Sequence, residues 1–266
     1  MDKKNTQQQT VAIVVPIYKP TLTKYEEISF QQLFKVLSKH EIVVIKPASL
    51  DLNDLLNRFS SCRIESFADD YFTGIAGYNR LMMSEEFYYR FRYSTYILIY
   101  QLDAYVFKDE LMDWCMKGYD YIGAPWLLRP IYNFPLFKLT SWIKRKFCEI
   151  THKPNSQTTR FKVGNGGLSL RKVSSHIKAV KELRPVIEQY LSVRHHLSNE
   201  DVFFSIEVNK QGLNFIYPSW QEALKFSFDK YPSLCYKLNN NQFPFGCHAW
   251  YKRKMKKFWF PIILKS

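Results

Sequence analysis

The first clear signal along the chain is an unbroken apolar run, Val11-Ala-Ile-Val-Val-Pro-Ile-Tyr18, dominated by β-branched side chains. Such a run fits a strand buried on both faces of a parallel sheet. Apolar positions then take up helical spacing over residues 25–38, where Ile28, Leu33, Val36 and Leu37 share one face. Glu41-Ile-Val-Val-Ile-Lys46 returns to strand character, and strand, helix and strand in that order predict a right-handed parallel crossover. A second helical stretch covers residues 74–91, and Thr95-Tyr-Ile-Leu-Ile-Tyr-Gln-Leu-Asp103 is a third apolar run that ends on a polar, acidic tip. A helix over 109–117 leads to a short strand and turn in Tyr119-Asp-Tyr-Ile-Gly-Ala-Pro125, where the sheet is expected to close. The class implied is α/β, a mixed but mostly parallel sheet flanked by helices. Ligands of open α/β sheets bind beyond the carboxyl ends of the strands, which places the tip of the third run at the expected site.

Between residues 126 and 162 the periodicity fails and the composition turns basic and aromatic. Arg129, Lys138, Trp142, Lys144, Arg145 and Lys146 stand there against a lone acid, Glu149. We read this stretch as a functional insertion. The pattern resumes at Val163 with Gly164-Asn-Gly-Gly-Leu-Ser-Leu-Arg171, a helix opens at Ser198-Asn-Glu-Asp201, and a basic-aromatic tail begins at Tyr251. A chain of 266 residues suits a single domain. We take it as residues 1–250 including the insertion, followed by the tail 251–266.

Bulk composition adds three constraints. The net charge of +14 calls for a polyanionic partner, whether nucleic acid, an anionic membrane or a phosphate-bearing substrate. Five cysteines without paired short spacings read as reduced thiols rather than as a zinc cluster or a disulfide framework. No apolar run approaches the roughly 20 residues that span a bilayer, and the polar start Met1-Asp-Lys-Lys-Asn-Thr-Gln lacks the apolar core of a signal peptide. A cytoplasmic protein is therefore expected.

Each candidate functional residue has a chemical reading and a plain one. Asp103, a carboxylate at a strand tip, suits a Mg²⁺ or Mn²⁺ ion, and a solvated turn is the alternative. Asn165, Gly166 and Gly167 allow close approach to main chain, as any turn does. Glu200 and Asp201 sit at a helix start, where the dipole favours the ionised form that a general base requires; ordinary capping by Ser198 or Asn199 is the alternative. His248, between aromatics, offers a neutral ring nitrogen to a metal or is a core histidine. Asn79 and Arg80 suit phosphate or sugar hydroxyls, with the guanidinium as a planar fork, or plain solvation.

Taken in order, these segments resemble a family of bacterial glycosyltransferase-like proteins of capsule and lipopolysaccharide gene clusters, long catalogued as a domain of unknown function. The resemblance rests on Val14-Val-Pro16, Gly77-Tyr-Asn-Arg80, Tyr100-Gln-Leu-Asp-Ala-Tyr-Val-Phe107, Tyr119-Asp-Tyr-Ile-Gly-Ala-Pro-Trp126, Gly164-Asn-Gly-Gly-Leu-Ser-Leu-Arg171, Asn199-Glu-Asp-Val-Phe-Phe204 and Phe245-Gly-Cys-His-Ala-Trp250. More distantly, the layout is similar to β-1,4-galactosyltransferases and polypeptide N-acetylgalactosaminyltransferases, and it implies their GT-A-type, Rossmann-like fold. It further implies a metal-dependent hexosyl transfer from a nucleotide-sugar, with Asp103 and His248 holding Mn²⁺ or Mg²⁺. Asp201 would then be the catalytic base of an inverting reaction and Glu200 a sugar contact, with Pro16, Tyr18 and Arg80 lining the nucleotide pocket. Gln101 stands where the family's Asp-x-Asp motif has its first acid, which leaves one strand-tip carboxylate instead of two.

UDP is the expected nucleotide, by resemblance alone, and a glycan or lipid-linked acceptor of surface polysaccharide synthesis the expected partner. The insertion and the tail, with Lys252-Arg-Lys254 and Lys256-Lys257 beside Phe258-Trp-Phe260, have the composition of a peripheral anchor on an anionic inner membrane face. Two competing readings remain. A nucleic-acid-binding module would use the charge and the aromatics, although no nucleic-acid motif is present. A catalytically silent sugar-binding protein of the same fold is the other.

Overall fold

The computed structural model of the chain describes residues 9–59, 62–127, 158–192 and 199–265, together with residues 140, 142, 143, 146 and 147. The basic-aromatic insertion therefore lies largely outside the described residues, as do Ser198 and Cys148. β1 (Val11–Pro16) is buried at all six positions. Helix α1 (Lys24–Leu37) starts in a reciprocal capping box between Thr23 and Glu26, which satisfies two of the N–H groups left unpaired at a helix start. The chain continues through β2 (Glu41–Pro47), a single turn α2 (Asn53–Leu56), β3 (Cys62–Phe67), α3 (Gly74–Met82), α4 (Glu85–Arg90), β4 (Tyr96–Tyr100), β5 (Tyr105–Val106), α5 (Leu111–Met116) and β6 (Tyr121–Gly123).

The second half begins with β7 (Leu168–Lys172), followed by α6 (Val173–Glu182), α7 (Arg184–Ser192) and the first turn α8 (Glu200–Val202). Without a break α8 passes through a π-helical turn, Phe203–Glu207, into α9 (Val208–Lys210). α10 (Trp220–Phe226), β8 (Ser227–Phe228), α11 (Pro232–Leu238), β9 (Gly246–Cys247) and α12 (Lys256–Ile263) complete it.

Six strands form the main sheet in the order β3-β2-β1-β4-β7-β6. The first four run parallel, with Val14 beside both Val43 and Ile99, whereas β7 is antiparallel to β4 and β6. Alternation along each strand divides the core in two. Ile13, Val15 and Leu98 face one apolar layer, and Ala12, Val14 and Ile99 face the other. Both faces are thus covered, as a parallel sheet requires. A small second sheet, β5-β9-β8, lies beside the first.

Three elements differ from the sequence pattern. The stretch 74–91 is two helices, because the Ser84 hydroxyl accepts the Phe87 N–H and starts a new one. β3 carries mostly exposed or half-exposed side chains, since a strand at the sheet edge needs no apolar run. The C-terminal segment is not a free tail: Met255, Trp259 and Ile263 are buried in a third apolar cluster with Tyr105, Phe228 and Trp250. Its lysines, Lys254, Lys256 and Lys257, stay exposed. Among the described residues no helix is long and apolar enough to cross a membrane, and the four described cysteines are free.

Candidate active site

The sheet topology decides where the polar residues meet. β1 and β4 are parallel neighbours, so the residues after them emerge at one end of the sheet. β7 runs the other way, so the glycine segment before it arrives at that same end, where Tyr100 faces Leu168 and Gly167 accepts the Gln101 N–H at 2.9 Å. A cavity of about 590 Å³ opens there. Pro16 and Tyr18 line it from β1, Gln101 and Asp103 from β4, Asn165, Gly166 and Gly167 from β7. Asn79 enters from α3, Glu200 and Asp201 from α8, and His248 from the end of β9. Eleven of the twelve residues singled out in the sequence therefore share one cavity.

Arg80 does not line it. Its guanidinium is held by Asp70, 2.8 Å from the carboxylate and 2.9 Å from the carbonyl. Asn79 on the same helix is buried and turned to the cavity. The structure thus pairs Arg80 with exposed Asp70 and does not bring it together with the other eleven.

Asp103 and His248 form the first cluster. His248 Nε2 is 3.0 Å from Asp103 Oδ1, and Nδ1 is 3.3 Å from Asp229 Oδ1. β8 and β9 pair in parallel with Phe228 beside Cys247, so the next residues, Asp229 and His248, emerge side by side. Against the downward push of burial, these two carboxylates raise the His248 imidazole to about 10. Burial pushes Asp103 up, but His248 and Lys252, whose Nζ lies 3.3 Å from Oδ2, hold it well below the usual carboxylate range.

The two carboxylates keep the His248 ring protonated near neutral pH, not neutral as expected from the sequence, so the pair fits a divalent cation only when the ion displaces the Nε2 proton. Two cis ligands each about 2.1 Å from one ion lie roughly 3 Å apart, the separation seen here. Nε2 is buried without a directed hydrogen bond, while Asp229 holds the other ring nitrogen as a carboxylate does behind a metal-bound histidine. Among the described residues no group of three or more His, Cys, Asp or Glu side chains is arranged around a common point.

Glu200 and Asp201 form the second cluster. The Asn79 side chain caps α8 from a distance: its Oδ1 accepts the Glu200 N–H at 3.1 Å, and its Nδ2 donates to Asn199 Oδ1 at 3.1 Å. Asn199 itself makes no side-chain cap. Asp201 accepts N–H groups of Val202 and Gly166, yet burial and the negative charge of Glu200 raise it to about 7. Glu200 meets Arg171, 2.9 Å away with both side chains enclosed. A Cβ at Gly166 would fall on the Glu200 carboxylate and one at Gly167 on the His248 ring, so both glycines exist to let these side chains reach the backbone.

Three contributors were not singled out as site residues from the sequence. Lys252 was legible only as a member of a basic run, and Asp229 needs the β8–β9 pairing to reveal it. Arg171 had one clue: Ser169 and Arg171 alternate with Leu168 and Leu170, which puts two polar side chains on one face of a strand.

The model of one protein family matches residues 61–248, more than two thirds of the chain. The chain belongs to the DUF5672 family. Proteins of this family are described as being of unknown function, and no curated protein sequence matches the chain. In fold, this DUF5672 protein is similar to the galactosyltransferase LgtC in complex with donor and acceptor sugar analogs. That likeness covers 96% of this chain and 94% of LgtC at 12% identity, with a TM-score of 0.54. It is also similar to the glycosyltransferase GlyE of Streptococcus pneumoniae TIGR4, over 96% of this chain and 60% of GlyE at 11% identity and a TM-score of 0.52. The mannosyltransferase Ktr4p of S. cerevisiae matches 81% of this chain and 68% of its own at 8% identity, with a TM-score of 0.51. The DUF5672 chain thus has the GT-A glycosyltransferase fold.

Proposed function

We propose that the protein is a glycosyltransferase that moves a hexose from a nucleoside-diphosphate donor, UDP-linked in our reading, to a glycan or lipid-linked acceptor with inversion at the anomeric carbon. One observation carries this reading: Asp103 with His248, and Glu200 with Asp201, open on the same cavity. A departing diphosphate needs positive charge and an acceptor hydroxyl needs a base, and the two clusters answer those two needs. A Mn²⁺ or Mg²⁺ ion held by Asp103 and His248 would neutralise the diphosphate. Lys19 and Lys252 line the same cavity and bring further positive charge. Tyr18, 61% exposed at the rim, offers an aromatic face to the nucleotide base. Asp201 takes the acceptor proton, and Asn79 holds the turn that carries it.

Hydrolysis of a panel of UDP-, GDP-, CMP- and dTDP-sugars with Mn²⁺ or Mg²⁺ tests the reading. Turnover is expected with one donor class. Asp103→Ala is expected to lower it about 100-fold or more, a loss comparable to removing one electrostatic stabiliser. Absence of turnover with every donor would favour a silent sugar-binding protein, and tight metal-free oligonucleotide binding would favour the nucleic-acid reading.

The acceptor belongs, in the same proposal, to surface polysaccharide synthesis at an anionic membrane. Lys254, Lys256 and Lys257 are exposed close to Tyr251 and Lys252, which line the cavity. Each lysine at an anionic surface contributes about 1 kcal/mol, so replacing all three with Ala is expected to weaken co-sedimentation with anionic vesicles about 100-fold. Unchanged binding would remove these lysines from the membrane role.

A further inference from the structure

One charged side chain under the site takes no part in the reaction outlined above. Arg171, on β7, is completely enclosed. Its Nε donates to Ser169 Oγ at 3.1 Å, and that hydroxyl donates to the Gly166 carbonyl at 3.1 Å. Nη1 donates to the Tyr88 hydroxyl at 3.0 Å. Nη2 lies 2.9 Å from Glu200 Oε2 without a directed hydrogen bond, so charge holds that contact. The Tyr121 and Phe204 rings lie 5.5 Å and 5.8 Å from the guanidinium carbon.

A buried ion pair is a poor device for stability, because desolvation offsets the attraction and an apolar pair of similar volume often does as well. Arg171 is better understood by what its arms connect. One reaches the glycine segment through Ser169 and another reaches the acidic pair through Glu200, while Tyr88 on α4 anchors the third. These are the two walls that Asp201 bridges, since it sits beside Glu200 and accepts the Gly166 N–H. Lysine, whose three donors radiate from one nitrogen on a flexible stem, lacks the rigid planar fork whose separate nitrogens reach Ser169, Tyr88 and Glu200.

We propose that Arg171 is a positioning residue that locks the Gly166 segment and the Glu200–Asp201 turn in one register, so that the Asp201 carboxylate meets the acceptor already oriented. This rests on the reading of Asp201 as the base. The register is set from beneath the cavity, by a side chain that substrate never touches.

The test compares the full chain with Arg171→Lys and with the double variant Arg171→Met/Glu200→Gln, which removes both charges and leaves neither stranded. Two readouts are taken: donor turnover, and the pH titration and hydrogen exchange of the Gly166 amide by NMR. In Arg171→Lys, kcat is expected to fall about 10-fold or more with the donor KM within twofold. Its Gly166 amide is expected to exchange at least about 10-fold faster, and its titration midpoint to rise as the bond to Asp201 loosens. If Arg171→Lys does not fold, the double variant decides: a wild-type melting temperature with lost Gly166 protection supports the proposal. Wild-type Gly166 protection and midpoint in either folded variant would overturn it. Absence of turnover in the wild type would refute the glycosyltransferase reading, while the Gly166 readout would still decide whether Arg171 locks the two segments.

Discussion

Asp201→Asn is expected to lower the turnover number of sugar transfer by about 10² to 10⁴-fold, the range lost when a positioned general base is removed, while donor binding persists. Asn keeps the shape and the Gly166 contact but cannot take a proton. Burial, and then the charge of Glu200, raise the Asp201 carboxyl from an ordinary value near 3.8 to about 7. The base form therefore appears as pH rises through neutrality, and wild-type kcat/KM is expected to climb with it and level off above about pH 8. The same shift works against folding. A carboxyl harder to ionise in the native state than in the unfolded chain leaves stability intact below pH 4, erodes it between 4 and 7, and withholds it fully above that. Asp201→Asn is consequently expected to be more stable than wild type at pH 8, by roughly 1–3 kcal/mol, and equal to it near pH 4. Thermal melts at the two pH values read this directly. A variant as active as wild type would exclude Asp201 as the base, and one that is less stable at pH 8 would show that the charged form is not strained.

The second large effect is expected from the smallest change, Gly166→Ala. The added methyl would fall on the Glu200 carboxylate and come within 3.2 Å of Arg171 Nη2. Neither neighbour has room to withdraw, because Glu200 and Arg171 are enclosed and tied to each other. Overpacking of this kind costs about 1–3 kcal/mol, and displacing the acidic turn by about 1 Å is expected to cost about 100-fold in kcat. Melting temperature and kcat together check it. A fully active, fully stable Gly166→Ala would mean that the glycine segment and the acidic pair are not packed as described.

The legible part of this molecule was the part that is buried on both sides. β1, β2 and β4 showed themselves because a central parallel strand has no polar face, and the abrupt change of character at Gln101 and Asp103 marked where β4 leaves the core. β3 was silent because edge strands tolerate charge. β7 was read as a glycine motif rather than a strand, since its polar Ser169 and Arg171 face inward, where only tertiary structure supplies partners. Type and spacing left each candidate residue with a plain alternative, and the family resemblance assigned the roles; contacts such as Asn79 as a cap for α8, or Asp229 behind His248, depend on segments more than a hundred residues apart or on the register of two-residue strands. Arg80 stands apart because its guanidinium reaches back to Asp70, a contact that spacing along the chain does not show.

The contact between α1 and the far end of the chain has a temporal consequence. Trp250 donates its indole N–H to Ser29 Oγ at 2.8 Å, and Tyr25 stacks on Tyr251, with ring centroids 5.4 Å apart. His248 lies just before this seam. On the ribosome, the six strands of the main sheet emerge first, long before the segment that supplies His248 and Lys252. A nascent chain can thus fold its framework early yet own no complete cavity until Trp259 has cleared the exit tunnel.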